Sequence, residues 1–371
     1  MRKATLWGLF MGLSAAGLLA TSPAKEKTPD RTPAETPGGT ADNSSGLSAG
    51  RAIPARTIPV PSTVSPAMHE WIANPTPPLT KIVPQTAAEW RALVALQVAA
   101  RAQQLIDVRR LCPVKLEPQT VGGVKCYLVT PDALPERNRH QLVIHLHGGA
   151  YVFSPGEIGA AEAVLLAHYG QTQVLSVDYR MPPDHPFPAA LDDALAVYQA
   201  IAKTHKPTEL AVFGTSAGGG LAAAMLQKLL ALHVPMPAVL GLGTPWADLS
   251  ETGDTLFTNE DIDQVILRYH GVLGAAARLY ADGRDLADPL LSPVNGDFAG
   301  FPPTILIAGT RDMLLSVTVR VHRKLRAAGI DAQLHVFEGM SHGFYLALPD
   351  APESRETFTE IAHFFGSRLG R

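Results

Sequence analysis

The sequence predicts an α/β fold in which a mostly parallel central sheet is covered by helices on both faces. Short runs that are almost continuously apolar or β-branched alternate with helical patterns from residue 124 to residue 339; they read "VKCYLVT", "QLVIHLH", "QVLSVDY", "ELAVFG", "AVLGLG", "TILIAG" and "AQLHVFEG". Strands that are buried on both faces have such continuously apolar sequences. Helices between successive strands are typical of parallel connections. In such sheets, functional side chains gather in loops beyond the carboxyl ends of the strands.

Length and composition predict one large domain with appendages. The chain has 371 residues, of which 46% are hydrophobic, and this is enough to bury one extensive core. The formal net charge of -3 and the lack of dense basic blocks argue against a nucleic-acid partner. We predict three segments: residues 1–22, a signal peptide; 23–66, a disordered linker rich in Pro and Thr; and 67–371, the catalytic domain.

The first residues have the layout of an export signal. Arg2 and Lys3 precede an uncharged, largely apolar run from Leu6 to Ala20, and small residues follow. We expect cleavage near Ser22 to Ala24, which predicts a secreted, periplasmic or cell-envelope protein. The alternative is an uncleaved membrane anchor, because the run is only slightly shorter than the roughly 20 residues that span a bilayer.

Cys112 and Cys126 are the only cysteines. An exported protein could join them as a disulfide. However, if Gly122 and Gly123 form a hairpin turn, a symmetric register places Cys126 opposite Gln119 rather than Cys112. The sequence therefore leaves the disulfide open, and two thiols alone do not complete a zinc site.

The candidate nucleophile is Ser216, in the motif "GTSAG" between a strand-like and a helix-like segment. A serine at such an elbow sits in a strained turn, and the flanking Gly214 and Gly218 would let strand and helix approach each other. The amide of Ala217 would begin the helix, where its hydrogen has no intrahelical acceptor and can stabilise an oxyanion.

A serine hydroxyl needs a base, and His342 is the best candidate. It lies in a glycine-flanked loop directly after the last strand-like segment, within "FEGMSHGFY". Asp312 follows the strand "TILIAG" and would orient the imidazole, giving the chain order Ser, Asp, His that this fold imposes. Asp288 and Glu338 are rival carboxylates.

The motif "HGGA", after the strand-like "QLVIHL", supplies a fourth element. Two successive glycines let the backbone point its amides at a tetrahedral oxygen without obstruction by side chains. Gly148 and Gly149 are therefore predicted to form the oxyanion hole together with Ala217.

With these motifs the chain resembles the hormone-sensitive-lipase family of α/β-hydrolases, also called microbial family IV, over roughly Cys126 to its end. Matching segments include "HLHGGAYVFS", "VLSVDYRMPPDHPFPAALDDALAVY", "VFGTSAGGGLAAAM", "DPLLSPVNGDFAGFPPTILIAGTRDMLLS" and "LRAAGIDAQLHVFEGMSHGF". The resemblance implies the triad and oxyanion hole named above. It also implies structural roles for residues 178–180 and a helical cap from residues 67–110 and 248–285.

Two residues depart from the family pattern. Ala150 stands where a third glycine is common, and Thr215 replaces the frequent aspartate before the nucleophile, as in one branch of the family. Neither departure removes a catalytic group.

The predicted function is hydrolysis of small-molecule esters with short to medium acyl chains, through an acyl-enzyme and with no metal or organic cofactor. Two alternatives remain at this point. The same triad could transfer the acyl group or hydrolyse an amide, or the protein could be a catalytically silent homologue that binds a small ligand.

Overall fold

The computed structural model describes residues 53–74 and 83–370. The predicted signal peptide and most of the predicted linker lie outside these residues. Among the described residues, those from Val60 onwards belong to one compact unit. Val60 and Val64 pack against the core, and the Ser65 backbone N–H donates a 2.6 Å hydrogen bond to Glu353.

The predicted parallel sheet is confirmed. Its strands are β1 (Val114–Val121), β2 (Val124–Pro131), β3 (Leu142–Leu146), β4 (Gln173–Val177), β5 (Leu210–Thr215), β6 (Val239–Gly243), β7 (Thr304–Gly309) and β8 (Ala332–Phe337). They lie in the order β1-β2-β4-β3-β5-β6-β7-β8. The pairs β1–β2 and β2–β4 are antiparallel, and the other neighbours are parallel. The carboxyl ends of β3, β5, β7 and β8 therefore meet at one edge.

The described helices are α1 (Pro66–Ala73), α2 (Ala87–Leu111), α3 (Ala161–Gly170), α4 (Ala189–Ile201), α5 (Ala217–Ala231), α6 (Thr255–Thr258), α7 (Gly274–Ala281), α8 (Leu315–Ala327), α9 (Phe344–Ala347) and α10 (Pro352–Gly366). Helices α4, α5 and α8 cover one face of the sheet, and α1, α3, α9 and α10 cover the other. Within the described ranges no helix is both long enough and apolar enough to cross a bilayer.

Alternation along single strands divides the core into two clusters. In β5, Leu210 and Val212 join one cluster, whereas Ala211 and Phe213 join the other. Successive side chains of a strand point to opposite faces, so a strand covered on both sides must be apolar at nearly every position. This explains why the strand segments recognised in the sequence show no alternation of apolar and polar residues.

The hairpin register predicted around Gly122 and Gly123 is confirmed. Both glycines have positive φ, at 60° and 83°, and Cys126 pairs with Gln119 across β1 and β2. Cys112 and Cys126 are buried free thiols. Burial raises the pKa of Cys112 to about 11 and that of Cys126 to about 12, so both thiols remain protonated at neutral pH.

Residues of the two segments predicted to form a cap pack against each other. Helix α2 begins at a capping box, in which Glu89 N–H donates to Thr86 Oγ1 and Thr86 N–H donates to Glu89. Its Trp90 packs in one apolar cluster with Phe153, from the loop after β3, and with Val272 and Ala276, from the second segment. The rings of Trp90 and Phe153 are 6.2 Å apart. We call α2 and residues 248–285 the cap.

Candidate active site

Ser216 occupies the turn between β5 and α5. Its backbone has φ 57° and ψ -122°, a conformation that non-glycine residues adopt only where the surrounding structure enforces it. Two hydrogen bonds enforce it here: Ser216 N–H donates to Gly243 O at 2.8 Å, and Trp246 N–H donates to Ser216 O at 2.8 Å. The turn is therefore fixed to the neighbouring strand β6 and the loop that follows it.

Gly214 and Gly218, which flank Ser216, are required because a side chain at either position would clash with the backbone. A Cβ atom on Gly214 would lie 2.2 Å from Gly218 O, and one on Gly218 would lie 1.9 Å from Leu146 O. Strand β5, helix α5 and the end of β3 approach each other so closely that no side chain fits between them. This packing brings the loop after β3 directly beside Ser216.

The structure brings Asp312 and His342 together, although they lie in the loops after β7 and β8. His342 Nδ1 is 3.1 Å from Asp312 Oδ1, and Leu314 N–H donates to the same oxygen at 2.8 Å. Burial lowers the pKa of His342, but the charge and hydrogen bond of Asp312 outweigh it, so the pKa lies above its usual 6.5. Asp312 therefore holds the ring nitrogen Nδ1 of His342, and the other ring nitrogen, Nε2, is left for a different partner.

The rival carboxylates are engaged elsewhere. Asp288 accepts a hydrogen bond from Leu290 N–H at 2.8 Å within a local turn. Glu338 accepts a hydrogen bond from the Thr63 hydroxyl. Of the three carboxylates considered from the sequence, Asp312 is the one that contacts His342.

Gly148 and Gly149 form the wall opposite the nucleophile. A Cβ on Gly148 would lie 3.4 Å from Ser216 Cβ, and Gly149 has φ 117° with its missing Cβ 2.4 Å from Phe153 O. The preceding His147 stacks on Tyr179 at 4.2 Å, and Tyr179 OH donates to His147 O at 2.6 Å. Burial lowers the pKa of His147 to about 3, so it is a neutral support for this loop.

The segment 178–180 has the bracing contacts expected of it. Asp178 accepts from Gly156 N–H at 2.8 Å, beside the loop after β3. Arg180 forms a forked ion pair with Asp193 of α4, with a shortest contact of 2.7 Å. These bonds tie the loop after β4 to its neighbours.

Sequence reasoning missed a second buried carboxylate beneath the elbow. Glu162 accepts a 2.5 Å hydrogen bond from Thr215 Oγ1 and lies 2.9 Å from His145 Nε2. His145 Nδ1 is 3.0 Å from Ser176 Oγ, and Tyr345 OH is 2.8 Å from Thr215 Oγ1. Where the family often has an aspartate, Thr215 therefore contacts a carboxylate supplied by α3. No local motif marks Glu162, since it lies within an apolar helix.

A cavity of about 150 Å³ lies under the cap. Ser216, His342, Gly148 and Gly149 line it together, whereas Asp312 lies behind His342 and Ala217 is buried beside Ser216. The other lining groups are mostly apolar and include Ala150, Phe153, Ile158, Val265, Ile266, Val272, Leu273 and Leu346. Because a bound carbonyl here would meet a serine, a histidine and a glycine-rich backbone, the geometry suits acyl chemistry.

Helix α2 turns a polar stripe towards this cavity. Gln97, Arg101 and Gln104 all line it. Gln97 and Arg101 donate to Ser154 Oγ at 3.2 and 2.9 Å, and Gln104 donates to Leu346 O at 2.9 Å. The helix thereby holds the loop after β3 and the segment that follows His342. These contacts place α2 over the cavity.

A family model described as the alpha/beta hydrolase fold matches residues 143–346. An esterase from Acinetobacter venetianus is 30% identical over 254 residues, which cover 68% of this chain and 82% of the relative. An acetyl-hydrolase from Streptomyces hygroscopicus is 31% identical over 237 residues, covering 64% of this chain and 79% of the relative.

Solved structures of esterases also match this chain. The crystal structure of an esterase matches with a TM-score of 0.83 and 43% identity, covering 86% of this chain and 99% of that one. An esterase of the bacterial hormone-sensitive lipase family matches with a TM-score of 0.68 and 28% identity, covering 81% of this chain and 95% of that one.

Proposed function

The chain belongs to the hormone-sensitive-lipase-like family of α/β-hydrolases, and from this we propose that it hydrolyses short- to medium-chain acyl esters through an acyl-enzyme on Ser216. As an enzyme it is a carboxylesterase-type hydrolase, like its esterase relatives. One observation carries the proposal. A serine in a strained turn lines the same cavity as a histidine that is hydrogen-bonded to a buried aspartate.

In the proposed mechanism, His342 Nε2 takes the proton of the Ser216 hydroxyl as its oxygen attacks the ester carbonyl. The Gly148, Gly149 and Ala217 amides stabilise the negative oxygen of the tetrahedral intermediate; one such donor is worth about 100- to 1000-fold in turnover. His342 returns the proton to the departing alcohol. It then activates the water that releases the acid and restores Ser216.

The size and lining of the cavity support the chain length proposed. A space of 150 Å³ accommodates a group of about the size of benzene, which corresponds to a short acyl chain. Its walls include Phe153, Val272, Leu273 and Leu346, so an aliphatic chain would replace water there favourably. A palmitoyl chain would have to leave through the mouth of the cavity.

The test is the initial rate of hydrolysis of p-nitrophenyl esters from acetate to palmitate by the full chain and by Ser216→Ala. We expect the kcat/KM of the wild type to be highest for short acyl chains. Ser216→Ala should have no esterase activity but should still show a thermal unfolding transition, because the substitution leaves the fold intact. A mass adduct of one acyl group should accumulate on the wild-type protein alone. An acyl adduct on Ser216→Ala would contradict the assignment of the nucleophile.

Product analysis with a competing alcohol or amide then separates hydrolysis from acyl transfer and amide cleavage. Hydrolysis predicts free acid as the main product at every alcohol concentration. Turnover of none of these substrates, with tight binding of an ester, would favour a silent ligand-binding protein instead.

We also propose that the protein is exported, supported by the basic start and the apolar run from Leu6 to Ala20. The mature protein recovered from the periplasm or medium should begin between Ser22 and Ala24, as read by mass spectrometry. Recovery of the intact chain in a membrane fraction would support the anchor instead.

A further inference from the structure

Asp263 is a buried carboxylate that the proposed mechanism does not use. It lies in the cap, in the loop that follows α6, and none of its surface is exposed. A buried charge must be compensated by hydrogen bonds or by opposite charge, because its transfer from water without them is strongly unfavourable. Its partners therefore indicate what holds it there.

The partners of Asp263 belong to both triad loops. Its Oδ2 accepts a 2.9 Å hydrogen bond from the N–H of Met313, the residue after Asp312. The backbone N–H of His342 lies 3.3 Å from Oδ2 and 3.4 Å from Oδ1. One carboxylate thus connects the backbone beside the triad acid with the backbone of the triad base.

The rest of the same loop contacts the same two places. Asn259 Nδ2 donates to Asp312 O at 2.9 Å, and Gln264 N–H donates to Ser341 Oγ at 3.1 Å. The residues that follow, Val265 and Ile266, donate to Asp263 Oδ1 at 2.8 and 3.2 Å and line the cavity. The wall of the substrate cavity is therefore hydrogen-bonded, through Asp263, to the triad loops.

Asp312 depends on this support. Its Oδ1 receives Leu314 N–H and contacts His342, while Oδ2 has no hydrogen-bond partner among the described residues. Because only Oδ1 is held by these contacts, the direction of the Asp312 side chain also depends on the backbone that carries it. Asp263 and Asn259 bind the two polar groups of the peptide bond that follows this carboxylate, Met313 N–H and Asp312 O.

The charge of Asp263 also acts on His342. Three carboxylates raise the pKa of that histidine against the effect of burial: Asp312, Asp263 and Glu162. Burial and the nearby charge of Asp312 raise the pKa of Asp263 itself to about 6, although His342 and the backbone hydrogen bonds oppose them. At pH 7 and above, Asp263 is mainly ionised, and its charge favours the protonated form of the His342 imidazole.

We propose that Asp263 is a positioning residue, which holds the Asp312 and His342 loops against the cavity wall and whose charge stabilises the imidazolium formed during turnover. The proposal rests on the proposed serine-ester mechanism. By this proposal the cap shapes the cavity and also, through Asp263, stabilises the protonated form of the base, His342.

The test compares Asp263→Asn with Asp282→Asn, which removes an exposed carboxylate of the same cap segment. We would measure kcat/KM for p-nitrophenyl butyrate on the full chain from about pH 5 to 9. Removing the charge of Asp263 destabilises the imidazolium, so the acid limb of the profile should move to lower pH by about 1 unit. The maximum should fall about 10-fold or more as the loops lose their support, and Asp282→Asn should match the wild type.

An unchanged acid limb in Asp263→Asn would overturn the proposal even if activity fell, because a merely structural loss does not move that limb. If Asp263→Asn does not fold, Asp263→Glu replaces it: the charge is kept, so we expect a wild-type limb with a lower maximum. A shifted limb in Asp263→Glu would likewise overturn the proposal.

Histidine NMR separates this proposal from the proposed function. The titration of the His342 imidazole, assigned with His342→Gln, can be followed without substrate in the wild type and in Asp263→Asn. A lower pKa in the variant supports the action of Asp263 even if no ester is hydrolysed, and an equal pKa contradicts it. Absence of ester turnover by the wild type would count against the proposed function alone.

Discussion

Replacing Gly218 by alanine should damage activity more than stability. The new Cβ would lie 1.9 Å from Leu146 O and 2.6 Å from His147 O. Carbon and oxygen do not approach within about 3.0 Å, so the start of α5 and the end of β3 must separate by about 1 Å. That movement pulls Ser216 away from Gly148 and Gly149.

The magnitude follows from this displacement. A misplacement of about 1 Å at reacting groups reduces turnover by about 100-fold. Overpacking a tight core site destabilises by about 1–3 kcal/mol, which lowers Tm by several degrees in a domain of this size. The control is Gly366→Ala at the end of α10, where nothing lies within 4 Å of the new Cβ; its activity and Tm should be close to those of the wild type.

The assays are kcat/KM for p-nitrophenyl butyrate and thermal unfolding followed by circular dichroism. The reasoning is refuted if Gly218→Ala keeps wild-type kcat/KM, since the clash would then have been absorbed without moving the nucleophile. It is also refuted if Gly366→Ala is impaired as strongly, because the effect would not come from the close approach of β3 and α5.

Three further outcomes are expected. Asp312→Asn should lower kcat by about 10⁴-fold while Asp288→Asn stays near wild type; equal losses in both would mean that the aspartate bonded to His342 has no special role. The kcat/KM of the wild type should decline as pH falls through the pKa of His342, which is raised above 6.5, because the protonated imidazole cannot act as a base; a profile flat down to pH 5 would exclude His342. Cys112 and Cys126 are buried free thiols, so a thiol reagent should react with neither cysteine in the native protein. It should react with both after unfolding without reductant. No reaction after unfolding would reveal a disulfide.

Much of the fold and the candidate site could be read from local patterns. A strand covered on both faces must be apolar throughout, as in β5, and the turn that carries Ser216 admits only glycine at 214 and 218. The hairpin at Gly122 and Gly123 fixed its own register, because two residues with positive φ make a tight turn. The hairpin and Gly214 depend on neighbours in the chain, so sequence alone determined them, whereas the space at Gly218 is limited by the distant Leu146.

The supports of the site depend on contacts between distant residues. Asp263 lies 79 positions before His342 and 50 before Met313, and Glu162 lies 53 before Thr215. No spacing rule connects such positions, since the path of the chain over the sheet edge decides which side chains meet. Sequence therefore determined the strands, the elbow and the candidate triad, while only the tertiary structure decided the cavity and the buried carboxylates that surround its histidine.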